Sequence, residues 1–144
     1  MKNSNYKLII MDEQFCEKIE KEIDIDRFLS YLFVRYELYL VTTKNKTDIK
    51  KQEIYKIIHR YLTDIISQKR FESKNDPKYY GAMLYQIKHS NPDDVLYMDD
   101  SQEHLFAASR AYIGTCFYNN STNDCLDFYP EIEVQSENQV QKVL

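Results

Sequence analysis

Two glycines and three prolines in 144 residues leave this chain few places for a tight turn. Sandwiches and barrels of β-strands need turn residues every few positions, so the scarcity predicts helices joined by polar loops, an all-α fold. Aromatic residues make up 14% of the chain and hydrophobic residues 43%, enough apolar surface to fold without metals or disulfides as staples. One domain over residues 1–144 is expected, with 1–10 and 136–144 as flexible ends.

Cys16, Cys116 and Cys125 form no CxxC pair, and an odd number cannot close a full disulfide set. They read as buried or idle thiols of a reducing compartment. No apolar run approaches the roughly 20 residues of a membrane span, and MKNSNYKLII lacks the apolar region and cleavage site of a signal peptide. A cytoplasmic protein is expected, with the nucleus also open to it. Net charge is −4, with 14 basic and 12 acidic residues in 1–72 but 5 and 11 in 73–144. An acidic second half disfavours nucleic acid and suits a basic protein partner, or is simply a solvated face.

Hydrophobic spacing predicts helices over Met11–Ile23, over Asp26–Val41 with Asp26 as cap, and from Thr47 to about Ile66. A fourth should start at Pro77 and run to about His89, before the stop at Asn91-Pro92. Pro92 to Met98 suggests a short helical turn. Ser101 then opens a segment to about Tyr118 that is apolar on nearly all sides, which predicts a buried central helix.

Catalytic chemistry has little support in these residue types. No glycine-rich phosphate loop, HExxH or GxSxG is present. The sharpest enzymatic reading is a metal-dependent hydrolase built on Asp100 and His104, four apart on one helix face, with Asp99 and Glu103 beside them. The plainer alternative places those carboxylates at a helix N-terminus, where the macrodipole favours them. A Cys116–histidine pair is disfavoured by burial. No catalytic, cofactor-binding or metal residue is therefore assigned.

The Asp26–Val41 segment carries two apolar faces when drawn as a helix. One holds Leu29, Leu32, Phe33, Tyr36 and Leu40, and the other Tyr31, Val34, Leu38 and Val41. The second set is the candidate dimer or partner interface.

YYGAMLYQIKHSNPDD followed by DDSQEHLFAASRAYIGTCFYNN resembles the poxviral Bcl-2-like proteins. The residues carrying the resemblance are Tyr79, Tyr80 and Gly81, then Leu105, Phe106, Ile113, Gly114 and Cys116. The tryptophan usual after that family's central helix is missing, and Pro130 interrupts the last segment. The resemblance implies an all-α Bcl-2-like bundle around a buried central helix and a non-enzymatic viral inhibitor without cofactors. Its implied partner is a host protein of innate immune signalling, toward nuclear factor kappa B or the interferon regulatory factors, or of apoptosis, with a homodimer through the first-helix face. An acidic immunity or antitoxin-type protein that blocks a basic toxin or nuclease is the alternative.

Overall fold

The computed structural model describes residues 6–70, 73–87, 91–119 and 130–144. Strands and helices alternate through it. The chain runs β1 (Leu8–Asp12), α1 (Glu13–Glu20), α2 (Ile25–Phe33), β2 (Glu37–Thr42), α3 (Lys46–Lys50), α4 (Glu53–Ile58) and β3 (Asp64–Ser67). It continues with α5 (Pro77–Leu84), β4 (Val95–Asp99), α6 (Gln102–Arg110), β5 (Gly114–Tyr118), β6 (Ile132–Val134) and α7 (Glu137–Val143).

The six strands form one sheet in the order β3-β2-β1-β4-β5-β6, and every pairing is parallel. Alternate residues of β1 to β5 enter two separate cores, as the period of two requires. Ile9, Met11, Leu38, Leu40, Leu96 and Met98 pack on one face with Phe15, Ile19, Phe28, Leu29, Leu32, Ile54 and Ile58 from α1, α2 and α4. Leu8, Ile10, Val41, Val95 and Tyr97 pack on the other with Tyr79, Tyr80, Met83, Leu105 and Ala108 from α5 and α6. The fold is therefore α/β in three layers.

The all-α expectation is overturned, and the reason is physical. A parallel sheet buries both faces, so LIIMD and VLYMD are continuous apolar runs without polar alternation. Such runs have the same pattern as a stretch of buried helix. Crossover helices also return the chain without hairpin turns, so few glycines are needed. The expected central helix is two elements: α6 stops at Arg110, and residues 114–118 are β5. Between them Tyr112 takes a φ of 66°, a left-handed conformation that costs a tyrosine strain. Gly114, also assigned to that helix, is instead a point of close approach, because a Cβ there would meet the Tyr6 ring.

The Asp26–Val41 helix is likewise two elements. Asp24, not Asp26, caps α2, with its side chain accepting from the Arg27 amide, and Val34 to Tyr36 turn the chain into β2. The four residues proposed as an interface therefore share no helix face. Val34 is 68% exposed, whereas Leu38 and Val41 are fully buried on opposite faces of the sheet. Tyr31 is half-buried against the first core, and its hydroxyl donates to the Gln141 carbonyl at 2.6 Å. At the chain ends, Leu8, Ile9 and Ile10 are fully buried in β1, and Val140 of α7 joins the first core.

Two substitutions separate these placements. Leu38→Asp puts an unpaired charge in the core and is expected to cost more than about 4 kcal/mol, leaving little cooperative melting. Val34→Asp should stay within about 0.5 kcal/mol of the parent by circular dichroism melting. Equal effects would contradict the split into α2 and β2.

Candidate active site

The strand order reverses direction between β1 and β4, the two central strands. β1 continues to β2 through helices on one face, while β4 is reached through α5 on the other. In open α/β sheets the crevice outside the carboxyl ends of such strands is where ligands bind. Here each strand ends on a buried carboxylate, Asp12 and Asp99, both only 1% exposed. Met11 pairs with Met98, so the next residues along each strand, Asp12 and Asp99, stand side by side.

Asp12 is also the N-cap of α1, its Oδ2 accepting from the Gln14 amide at 2.9 Å. The helix dipole thus points its positive end at this carboxylate. Lys74 Nζ lies 2.8 Å from Oδ1, an ion pair that makes no aligned hydrogen bond to that oxygen. Lys74 is fixed from behind: its carbonyl accepts from the Tyr80 hydroxyl at 2.8 Å, and the next residue, Asn75, donates to Glu103 of α6 at 3.1 Å. Asp76 and Pro77 then start α5.

Asp99 is saturated. Its Oδ1 accepts from the amides of Asp100 (2.7 Å) and Ser101 (3.3 Å), and its Oδ2 from the Tyr97 hydroxyl (2.6 Å) and His104 Nδ1 (2.9 Å). Burial, and then the neighbouring Asp12 charge, push the Asp99 carboxyl above its usual value despite these donors. Burial also raises the Tyr79 and Tyr97 phenols well above theirs.

The third strand end is Thr42 on β2. Its hydroxyl donates to Glu13 Oε1 at 2.7 Å and accepts from the Lys44 amide at 3.0 Å, while Lys44 Nζ holds Glu13 Oε2 at 2.8 Å. Burial pushes the Glu13 carboxyl up, yet hydrogen bonds from Lys44, Thr42 and Glu17 outweigh it and hold it below the ordinary value, while burial and the same contact with Glu13 raise the Glu17 carboxyl.

Part of this site is legible in the sequence. Ser101 opens α6 as expected, its hydroxyl accepting from the His104 amide. Asp99 and His104 meet, but Asp100 turns to Lys18 at 2.6 Å and Glu103 to Asn75, so the four do not converge on a metal. Among the described residues no three His, Cys, Asp or Glu side chains form a metal-holding group. His59 stacks on Tyr55 on the exposed α4 side, and His89 and Cys125 lie outside the described residues. Cys16 and Cys116 are free and fully buried, and burial pushes the Cys116 thiol up to about 12. Asp12 and Lys74 were missed. The signal for Asp12 was a repeated form, an apolar run closing on aspartate in both LIIMD and VLYMD.

Neither a family model nor a curated protein sequence matches the chain. Solved structures do. The Bacillus subtilis protein YfnB, assigned to the HAD-hydrolases and bound to magnesium, superposes with a TM-score of 0.70 at 18% identity over 83% of this chain and 54% of its own. A dehalogenase with an intermediate complex gives 0.68 at 17% identity, over 83% of this chain and 54% of its own. An HAD phosphatase from Thermococcus onnurineus gives 0.64 at 12% identity, over 94% and 96%. The chain thus spans about half the length of the first two and nearly all of the third.

These likenesses establish the fold as that of HAD-like hydrolases. They overturn the Bcl-2-like kinship and, with it, the non-enzymatic viral inhibitor of nuclear factor kappa B, interferon regulatory or apoptotic pathways. The antitoxin-type alternative is unsupported as well, and among the described residues nothing supports a host partner or a dimer. Among the described residues no helix is long and apolar enough to cross a membrane.

The Glu13 network can be tested by pH. Its folded carboxyl titrates below the unfolded one, so its stabilisation is full above the unfolded value and is lost as pH falls through the folded one. Glu13→Gln is expected to cost about 1–3 kcal/mol at neutral pH. The gap from the parent should close on acidification, as read by urea unfolding across pH 7 to 3; a constant gap would contradict the assignment.

Proposed function

We propose that the chain is a hydrolase of small molecules that works through a covalent ester on Asp12. The observation that carries this reading is a buried carboxylate at the end of a central strand, beside the strand-order reversal, with Oδ1 engaged among the described residues only by the Lys74 charge. A carboxylate held this way is a nucleophile that can split one difficult displacement into two easier steps. Lys74 places positive charge where negative charge develops, and the N-terminal amides of α1 face the same point.

The known proteins with this fold point to the electrophile. By their names they include a dehalogenase and a phosphatase, so the candidate leaving groups are a halide on carbon and an alcohol on phosphorus. In either case Asp12 attacks the atom bearing the leaving group, whose bond to halide or alkoxide breaks as the bond to the Asp12 oxygen forms; the adduct is an alkyl ester on carbon or an acyl phosphate on phosphorus, and water must then hydrolyse it.

Magnesium accompanies YfnB, and the donor set here does not fit it. Octahedral Mg²⁺ needs carboxylate oxygens with lone pairs to spare. Asp99 has about four acceptor positions and all are taken, Asp100 is paired with Lys18, and the ammonium of Lys74 already faces Asp12. No step is routed through a metal.

Turnover of 4-nitrophenyl phosphate and of 2-chloropropionate tests the reading. The wild type is expected to release nitrophenol or chloride, and Asp12→Asn to lower that rate at least about 1000-fold while still unfolding cooperatively, at a lower melting temperature than the parent. Millimolar magnesium or a chelator should leave the melting temperature where it is. Activity surviving in Asp12→Asn would remove Asp12 from the chemistry.

A further inference from the structure

Hydrolysis of an ester on Asp12 needs a group that takes a proton from water, and the residues around Asp12 narrow the choice. Gln14, two positions on, is an amide and accepts no proton at neutral pH. Glu13 is held between Thr42 and Lys44, and Lys74 is committed as a cation against Asp12. Tyr79 and Tyr97 keep their protons far above neutrality.

His104 differs from all of these. It stands in the first turn of α6 with its side chain 22% exposed, open to water. The carboxylate of Asp99 can only accept, so the 2.9 Å contact requires a proton on Nδ1, and in the neutral imidazole the lone pair then lies on Nε2. Tyr97 and the amides of Asp100 and Ser101 occupy the rest of Asp99 and fix it in place. This is a base oriented by a third group, and its orienting carboxylate adjoins Asp12 across the β1–β4 pairing.

We propose that His104, oriented by Asp99, is the general base that activates the water hydrolysing the Asp12 ester. The inference rests on the hydrolase reading above. One O–H bond of water breaks and its proton goes to Nε2, while the oxygen adds to the electrophile of the ester. In an acyl phosphate that atom is phosphorus; its bond to the Asp12 oxygen breaks, freeing the carboxylate and phosphate, and Nε2 later returns its proton to solvent. In an alkyl ester it is Cγ of Asp12; the tetrahedral adduct collapses with loss of the alcohol, which carries away the proton from Nε2. Asp99 is a positioning residue, because it acts through His104.

The test follows the two half-reactions separately. His104→Asn keeps a donor toward Asp99 and removes Nε2. With the substrate the wild type turns over, this variant is expected to release one equivalent of leaving group in a fast first turnover. It should then run at least about 100-fold slower than the wild type, with the adduct visible on the Asp12 peptide by mass spectrometry. Added imidazole should restore turnover in His104→Ala, which reads the same role in a second variant. An unchanged steady-state rate overturns the proposal, as does loss of the first turnover together with the second in variants that melt like the parent. Turnover that persists in Asp12→Asn instead sinks the hydrolase reading, and this inference with it. In water enriched in ¹⁸O, label entering the Asp12 carboxylate marks the alkyl ester, and label entering phosphate marks the acyl phosphate.

Discussion

The ammonium of Lys74 against the carboxylate of Asp12 is the contact on which the rest of this structure depends. A carboxylate at 1% exposure, walled by two apolar cores, would cost several kcal/mol if it stood alone. Lys74 offsets that cost, but only because its own backbone is held by the Tyr80 hydroxyl and the start of α5. Tyr80 in turn packs edge-to-face on Tyr79 and Tyr97. Tyr97 reaches Asp99, so one chain of contacts runs from the second core to both strand ends.

This arrangement explains why a charged cluster can exist in so apolar a setting. Parallel strands present their carboxyl ends together, and the helices that follow them present amides to the same place. Asp12 caps α1, Ser101 caps α6, and the buried polar side chains Thr42, Glu13 and Asp99 are satisfied by partners from those same helix starts and loops. Apolar packing fixes the strand ends and, with them, the positions of the polar groups they carry.

How much of this was legible follows the same physics. Chain punctuation was readable where it rests on side-chain chemistry: Ser101 as a cap and Pro77 at a helix start hold, whereas α5 ends at Leu84, short of the stop expected at Asn91-Pro92, and Asn91 instead caps the short turn Pro92–Asp94. Element type was not, because strands buried on both faces lose the alternation that marks a strand. The turn from α2 to β2 uses Val34, Arg35 and Tyr36, with no glycine or proline to announce it. Of the site, the Asp99–His104 pair was visible as neighbours on one short segment. Asp12, Lys74 and Asp99 are separated by dozens of residues and meet only through strand order, which spacing cannot reveal.

The most direct test of the central claim is a double-mutant cycle on stability with Asp12→Asn and Lys74→Met, read by urea unfolding at neutral pH. Removing Lys74 alone strands a buried charge and should cost about 3–5 kcal/mol, while adding Asp12→Asn to it should recover most of that loss. Strictly additive effects, or a Lys74→Met protein as stable as the parent, would show that the two charges do not depend on each other and would contradict the account.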